Sequence, residues 1–311
     1  MFERPFGPRR LLAVARAPLA GIAVFVLALT VGEAAPRVQT GLRARADAEL
    51  QAGLERSLAE LGLESAVGDG RLAVALVDLS DTHEPRLAMV NGDEMMYAAS
   101  LPKIAILLGA FVQAERGRLA LDEANRASLH RMIRVSSNAD ASAMLDRVGR
   151  EELLEILQSP RFALYDSEGH GGLWVGKPYG KEPAYRRDPL RGLSHAATAF
   201  QVARLYYLLD TDRLLSPELS RRMMETLSEP GIAHKLVKGL EARPGCRIYR
   251  KSGTWKEFHS DSVLVHFGQY RYVLVGLCRD PRGGSWLARM APRLHDLVVP
   301  PAVSSSMSAP H

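Results

Sequence analysis

Three short stretches of the chain place reactive side chains at spacings that could do chemistry. In YAASLPKIAILLGAF, Ser100 precedes Lys103 by three positions. On a helix that spacing puts both side chains on one face. Pro102 suits a first turn, where a missing N–H removes no intrahelical bond. A serine hydroxyl is a weak nucleophile until a base takes its proton, and a lysine whose pKa is lowered by burial can be that base. The run IAILLGAF roots Lys103 in apolar surroundings. The second stretch, VSSN, carries Ser136 and Asn138 between two expected helices. The third, KSGT, carries Lys251, Ser252, Gly253 and Thr254 in an expected strand. Each is common alone: a helix-capping serine followed by a surface lysine explains S-x-x-K equally well.

A fourth stretch, GGLWVGKPYGKEP at 171–183, holds Gly171, Gly176 and Lys177 at the G-x-x-x-x-G-K spacing of a phosphate-binding loop. That motif needs Ser or Thr after the lysine, between a strand and a helix. Here Pro178 follows, and two more prolines, Pro183 and Pro189, keep the downstream segment from being helical. The stretch reads as a long Gly/Pro loop, and long loops in compact domains are often functional. It carries Glu182, with Glu168 just upstream and Asp166 and Asp188 as further carboxylates. Each either activates a water or is a solvated loop charge.

Composition narrows the class. The 311 residues are 47% hydrophobic and 24% charged, with a formal net charge of +5. Residues 1–35 account for +2, through Arg4, Arg9, Arg10 and Arg16 against Glu3 and Glu33. The remaining charge is too mild to argue for nucleic acid, and no basic run with interleaved aromatics supports it. MFERPFGPRR followed by the uncharged run at 17–32 and the small residues of GEAA reads as a cleaved secretory signal. An uncleaved anchor in the inner membrane is the alternative, although the run is short for a span. Cys246 and Cys278 fall at opposite ends of an expected three-strand meander, so no bridge is expected. Nine scattered histidines with no HExxH or C-x-x-C point to no metal site, and no cofactor is expected.

The elements that must position these residues follow from periodicity. Helical spacing of leucines marks 44–62. Strands are expected at 72–81 and 84–95. Helices follow at 104–117, 121–135, 139–148 and 151–159, then a loop to about 194. Helices at 195–210 and 216–229 come next, the second with Ser216 as N-cap and Pro217 in its first turn. Strands at 247–254, 261–268 and 270–278 and a helix at about 283–297 complete the domain. Strands at both ends of the chain predict an α+β fold: one antiparallel sheet flanked by terminal helices, an all-helical lobe, and a cleft between them. The domain spans 44–298, between the leader at 1–35 and a polar, disordered tail at 299–311.

S-x-x-K, S-x-N and K-[ST]-G, in that order, are the three motifs of the serine penicillin-recognising enzymes. With the stretches LAVALVDLSD, NGDEMMYAASLPK and NADASAMLDRVG, the chain resembles class A β-lactamases and related serine hydrolases over about 44–298. The resemblance implies an acyl-enzyme mechanism in the periplasm or outside the cell, in a monomer acting on a small β-lactam or a peptidoglycan-type peptide. It makes Ser100 the nucleophile, Lys103 its proton acceptor and Ser136 the relay to the leaving nitrogen. Asn138 would bind the substrate amide, Lys251 would supply positive charge near Ser136 and the substrate carboxylate, Ser252 would join it in binding substrate, and Gly253 would let the strand edge approach. The N–H groups of Ser100 and Thr254 would form the oxyanion hole. Ser137 stands where the family usually has Asp, the first two motifs lie closer together than usual, and E-x-x-L-N is missing from the loop. Glu168 and Glu182 are the substitutes for the deacylating base. Trp174, Tyr179, Trp255 and His259 are further cleft residues on this reading. Without such a base the protein would behave as a penicillin-binding protein or a D-Ala-D-Ala peptidase. A non-catalytic envelope-binding protein on the same fold is the rival of another class.

Overall fold

The computed structural model describes residues 38–301. The leader-like segment at 1–35 and residues 302–311 of the tail lie outside the described residues. The chain opens with α1 (Val38–Arg43), α2 (Ala48–Glu60) and the short α3 (Glu64–Gly68). Strands β1 (Leu72–Asp78), β2 (Arg86–Val90) and β3 (Met96–Tyr97) precede four helices, α4 (Lys103–Glu115), α5 (Glu123–Arg134), α6 (Asn138–Val148) and α7 (Arg150–Gln158). Four short strands follow: β4 (Tyr165–Asp166), β5 (Gly171–Gly172), β6 (Trp174–Val175) and β7 (His195–Ala197). Then come α8 (Ala199–Asp210), α9 (Pro217–Leu227), α10 (Leu236–Leu240), β8 (Arg247–Trp255), β9 (Phe258–Phe267), β10 (Tyr270–Arg279) and α11 (Gly283–Val298).

The main sheet is antiparallel in the order β2-β1-β10-β9-β8, so strands from both ends of the chain meet at β1 and β10. Apolar residues cover both faces. Leu50, Leu54 and Leu58 of α2 pack with Leu287, Met290 and Leu294 of α11 on one side. On the other, α8 joins the helical lobe built around α4. From Lys103 to Gln113 every residue of α4 is buried, which fits a helix apolar on all faces. This is the α+β arrangement that the strand and helix pattern predicts.

Three details differ from the expectation. Residues 195–197 are a strand, β7, pairing with β3 and β6; α8 begins at Ala199, with Thr198 capping the N–H of Gln201. The segment at 160–194 is not plain loop, because β4, β5 and β6 lie in it. Val299, read as tail, is fully buried. Cys246 and Cys278 are both unbridged, and no helix among the described residues is long and apolar enough to cross a membrane.

Strand β8 is the edge of the sheet and is held by a buried ion pair. Both guanidinium nitrogens Nε and Nη2 of Arg250 reach Asp261 on β9, each at 2.8 Å. Arg250 also donates to the carbonyls of Ile232 (2.6 Å) and His234 (3.3 Å), while Asp261 accepts from the N–H of Leu236 (3.1 Å). The pair ties the 232–236 segment to the strand that carries KSGT. Breaking such a pair from one side leaves an uncompensated buried charge, so Asp261→Ala is expected to lose about 3–5 kcal/mol of stability, measured by urea denaturation. A loss below about 1 kcal/mol would show that Arg250 finds water in the variant.

Candidate active site

Ser100 lies in a tight turn between β3 and α4 rather than on the helix itself, which begins at Lys103. Ala99 holds φ of +50°, a conformation uncommon for non-glycine residues and costly unless the surroundings enforce it. They do so from several sides. The N–H of Ala98 donates to the carbonyl of His195 (3.0 Å), Ser260 Oγ donates to the carbonyl of Ala98 (2.7 Å), and the Tyr179 hydroxyl donates to the carbonyl of Ala99 (3.3 Å). Among the described residues no hydrogen bond engages Ser100 Oγ or its backbone N–H, so both stand free for a ligand.

The Lys103 side chain is fully buried. Its Nζ donates to the Ser136 carbonyl (2.6 Å) and to Asn138 Oδ1 (2.8 Å), and lies 3.3 Å from Ser136 Oγ. It is bonded to these groups and not to Ser100 Oγ. Ser136 itself sits at φ +60°, which turns its carbonyl and hydroxyl oxygens toward the same amine. Ser137, standing where an Asp is usual, caps α6 by accepting from the N–H of Asp140 (3.2 Å). Lys251, on β8, reaches Ser136 Oγ (3.0 Å) and the Ser252 carbonyl (2.7 Å). One hydroxyl therefore lies between two buried amines. Burial lowers the Lys103 pKa to about 7. Burial, then the neighbouring Lys103 and Arg250, push Lys251 well below the ordinary lysine value.

The remaining KSGT residues form the opposite wall. A Cβ on Gly253 would lie 2.3 Å from the Ala98 carbonyl oxygen and 2.6 Å from the Ser100 nitrogen. Only glycine lets the strand come this close to the Ser100 turn. Ser252 Oγ is bonded to His234 Nε2 (3.2 Å). Lys235, at φ +55°, buries its amine against the Gly253 carbonyl (2.5 Å), Thr254 Oγ1 (2.8 Å) and the Ser260 carbonyl (3.1 Å). The spacing of the motifs gives no sign of Lys235 or His234, because they come from the segment before α10.

A pocket of about 300 Å³ opens over Ser100. Tyr97, Ala99, Asn138, Lys177, Pro178, Tyr179, His195 and Thr254 line it, with Trp255 at its rim, 56% exposed. None of the lining residues is a carboxylate. The structure does not bring Glu168 or Glu182 to the pocket. Glu168 is exposed in a turn whose N–H groups are capped by Asp166. Glu182 is exposed and faces Arg150 at 3.4 Å. Asp188 is buried, accepting from the Tyr165 hydroxyl and from the N–H groups of Leu190 and Arg191. The loop presents Pro178 and Tyr179 inward instead. Trp174 is core, its Nε1 donating to the Arg186 carbonyl (3.0 Å), and His259 packs against Gly283. Neither lines the pocket. His195, at the start of β7, was hidden in what reads as a helix. Among the described residues no group of His, Cys, Asp or Glu is arranged to hold a metal ion.

A family model described as "Beta-lactamase enzyme family" matches residues 53–127 and 124–297. The chain belongs to the β-lactamase enzyme family. It is accordingly a β-lactamase-like serine hydrolase. No curated protein sequence matches it. Among solved structures, a β-lactamase from Sphaerobacter thermophilus DSM 20745 is similar at TM-score 0.63 and 16% identity, covering 79% of this chain and 96% of that one. PBP-A is similar at TM-score 0.59 and 20% identity, covering 81% and 96%. A mutant of the class A β-lactamase of the last common ancestor of Gram-negative bacteria is similar at TM-score 0.61 and 20% identity, covering 78% and 98%. These similarities show that the β-lactamase-like fold is shared.

An amine with a pKa of about 7 accepts a proton only in its neutral form. If Lys103 serves Ser100, the rate at which a fluorophosphonate probe labels the protein rises about tenfold per pH unit below about pH 6.5 and levels off above about pH 7.5. Stopped labelling reactions read by intact mass give this profile. A rate independent of pH over that range would remove Lys103 as the base.

Proposed function

We propose that the protein opens a β-lactam or a related peptide amide through an acyl ester on Ser100, and that the ester is long-lived. The observation that carries this reading is the pocket: a free Ser100 hydroxyl and N–H, two buried amines joined through Ser136, and no carboxylate among the lining residues.

Ser100 Oγ attacks the carbonyl carbon as its proton passes to Lys103. The N–H groups of Ser100 and Thr254 receive the developing oxyanion, an interaction worth several kcal/mol when such donors are preorganised. Lys103 returns the proton through Ser136 Oγ to the leaving nitrogen as the C–N bond breaks. Asn138 orients the substrate amide. Lys251, whose charged form burial disfavours, regains its proton when an anionic group arrives, and Ser252 and Thr254 lie along the same strand edge to bind it. Deacylation requires a base for water. Glu168 and Glu182 stand on the surface, which favours a penicillin-binding protein or D-Ala-D-Ala peptidase over a fast β-lactamase. A non-catalytic binding protein is less favoured: such a role needs neither a free serine hydroxyl nor two amines held out of water at a cost.

The leader-like sequence at 1–35 supports a site for this activity in the periplasm or outside the cell, released or anchored to the inner membrane, and on this reading a monomer meets β-lactam or peptidoglycan-type peptide. Intact-mass spectrometry with penicillin G tests the chemistry. The wild type is expected to carry one covalent adduct that persists for about an hour or longer, and Ser100→Ala none. An adduct on Ser100→Ala would overturn the assignment of the nucleophile. Loss of the wild-type adduct within seconds would overturn the slow-deacylation reading in favour of a β-lactamase. Gly253→Ala, which drives a methyl into the Ser100 turn, is expected to slow acylation about 100-fold or more; an unchanged rate would show that the turn yields at no catalytic cost.

A further inference from the structure

The loop that lacks a catalytic carboxylate places an aromatic residue over the catalytic amine. The Lys103 Nζ lies 4.5 Å from the centre of the Tyr179 ring. That ring is held on every side. Its hydroxyl donates to the Ala99 carbonyl (3.3 Å), its backbone N–H donates to Ser142 Oγ on α6 (2.9 Å), and its other side meets the His195 ring at 4.3 Å between centroids. His195 is in turn fixed by a bond from Nε2 to the Lys177 carbonyl (2.9 Å). Pro178, Lys177 and Gly180 complete a wall whose own backbone is closed by Lys177 Nζ on the Gly180 carbonyl (2.9 Å). No motif requires a tyrosine here, and the catalytic steps proposed above do not use its hydroxyl.

We propose that Tyr179 is a positioning residue that shields Lys103 and the adjoining face of Ser100 from water, and so sets the lifetime of the acyl-enzyme. The proposal rests on the acyl-Ser100 reading. With the ring in place, an aromatic face closes the loop side of Lys103. With the ring removed, water can enter there. Lys103 in its neutral form takes a proton from that water as its oxygen attacks the ester carbon. The proton then passes to Ser100 Oγ as the C–O bond breaks, leaving free Ser100 and a carboxylic acid product.

The groups facing Lys103 are Ser136 and Asn138 from the start of α6, Lys251 from β8, His195 from β7 and Tyr179 from the loop. No carboxylate is among them. His195 is held neutral by burial, its pKa lowered to about 4. Burial is the cause of the lowered Lys103 pKa. Removing the ring therefore moves it upward, toward that of a hydrated lysine.

Three variants test the proposal: Tyr179→Phe, Tyr179→Ala and Tyr179→Gln, the last keeping a flexible hydrogen-bonding side chain without the ring should the alanine variant lose the fold. Penicillin G adduct lifetime is read by intact mass on each variant's alkaline plateau, alongside the pH profile of acylation. Tyr179→Ala and Tyr179→Gln are expected to shorten the adduct lifetime about 10- to 100-fold and to move the acylation midpoint up by about one pH unit. Tyr179→Phe keeps the ring but gives up the hydroxyl's bond to the Ala99 carbonyl; it is expected to keep the wild-type lifetime and midpoint while its plateau acylation rate falls. A merely structural role would lower the yield of folded protein without moving the pH midpoint. Folded Ala or Gln variants with wild-type lifetime and midpoint overturn the proposal, as does a Phe variant that behaves like Ala. Absence of any Ser100-dependent adduct on the wild-type protein would instead overturn the acyl-enzyme reading itself.

Discussion

Two lysine amines share one hydroxyl at the centre of this protein, and the rest of the site is arranged around that fact. Lys103 and Lys251 approach Ser136 Oγ at 3.3 and 3.0 Å, and both side chains are almost wholly withdrawn from solvent. Two ammonium groups in that position would be strongly unfavourable, so burial drives at least one toward the neutral amine. Burial lowers the pKa of both, Lys103 to about 7 and Lys251 well below the ordinary lysine value. Lys103 donates to the Ser136 carbonyl and Asn138 Oδ1 and lies 3.3 Å from Ser136 Oγ. Lys251 donates to the same oxygen, and burial with its cationic neighbours disfavours its charged form as well. The helix that roots Lys103 has to be apolar throughout for this to hold, and the IAILLGAF run meets that need by burying every residue from 103 to 113.

The opposite wall depends on a second set of buried charges with a different purpose. Arg250 and Asp261 neutralise each other, and their spare hydrogen bonds fasten the 232–236 segment to β8. From that segment Lys235 reaches under the strand end and bonds three oxygens of residues 253, 254 and 260. Burial lowers its pKa to about 8. These bonds fix where Gly253 and Thr254 face the Ser100 turn. The strain at Ala99 and the close approach at Gly253 are two sides of one contact.

Much of this was legible in the sequence wherever a pattern is local. Leucine spacing gave the helices, unbroken β-branched and leucine runs gave β1, β9 and β10, and the three motifs named Ser100, Asn138 and Thr254, which line the pocket, and Lys103, Ser136 and Lys251, which meet at Ser136 Oγ. The misses share a physical cause. HAATAF reads as the start of a helix because its neighbours are helical, yet residues 195–197 pair with strands far away in sequence. Ser100 reads as the first residue of a helix, but the left-handed Ala99 and three outside hydrogen bonds make it a turn. Lys235 and His234 have no motif, because what places them is the buried Arg250–Asp261 pair. The spacing of Glu182 before α8 suggested a catalytic carboxylate, but spacing does not determine the direction in which a loop carries its side chains.

That direction is set by the glycines that first suggested a phosphate site. A Cβ on Gly176 would fall 1.5 Å from the Arg186 carbonyl oxygen, so the two limbs of the loop touch backbone to backbone. The Gly176 N–H donates to the Ser194 carbonyl (2.7 Å), and its own carbonyl accepts from the N–H groups of Tyr185 (2.9 Å) and Arg186 (3.1 Å). With both limbs closed at Gly176, the residues between them must form a projecting tip. Lys177, Pro178 and Tyr179 make the side of that tip nearest Ser100, and Glu182 falls on the return limb beside Arg150. The glycine spacing therefore reports backbone packing, and that packing decides which side chain faces the pocket over Ser100. In this chain the residue is an aromatic ring over a buried amine, where the loop's carboxylates have been carried to the surface.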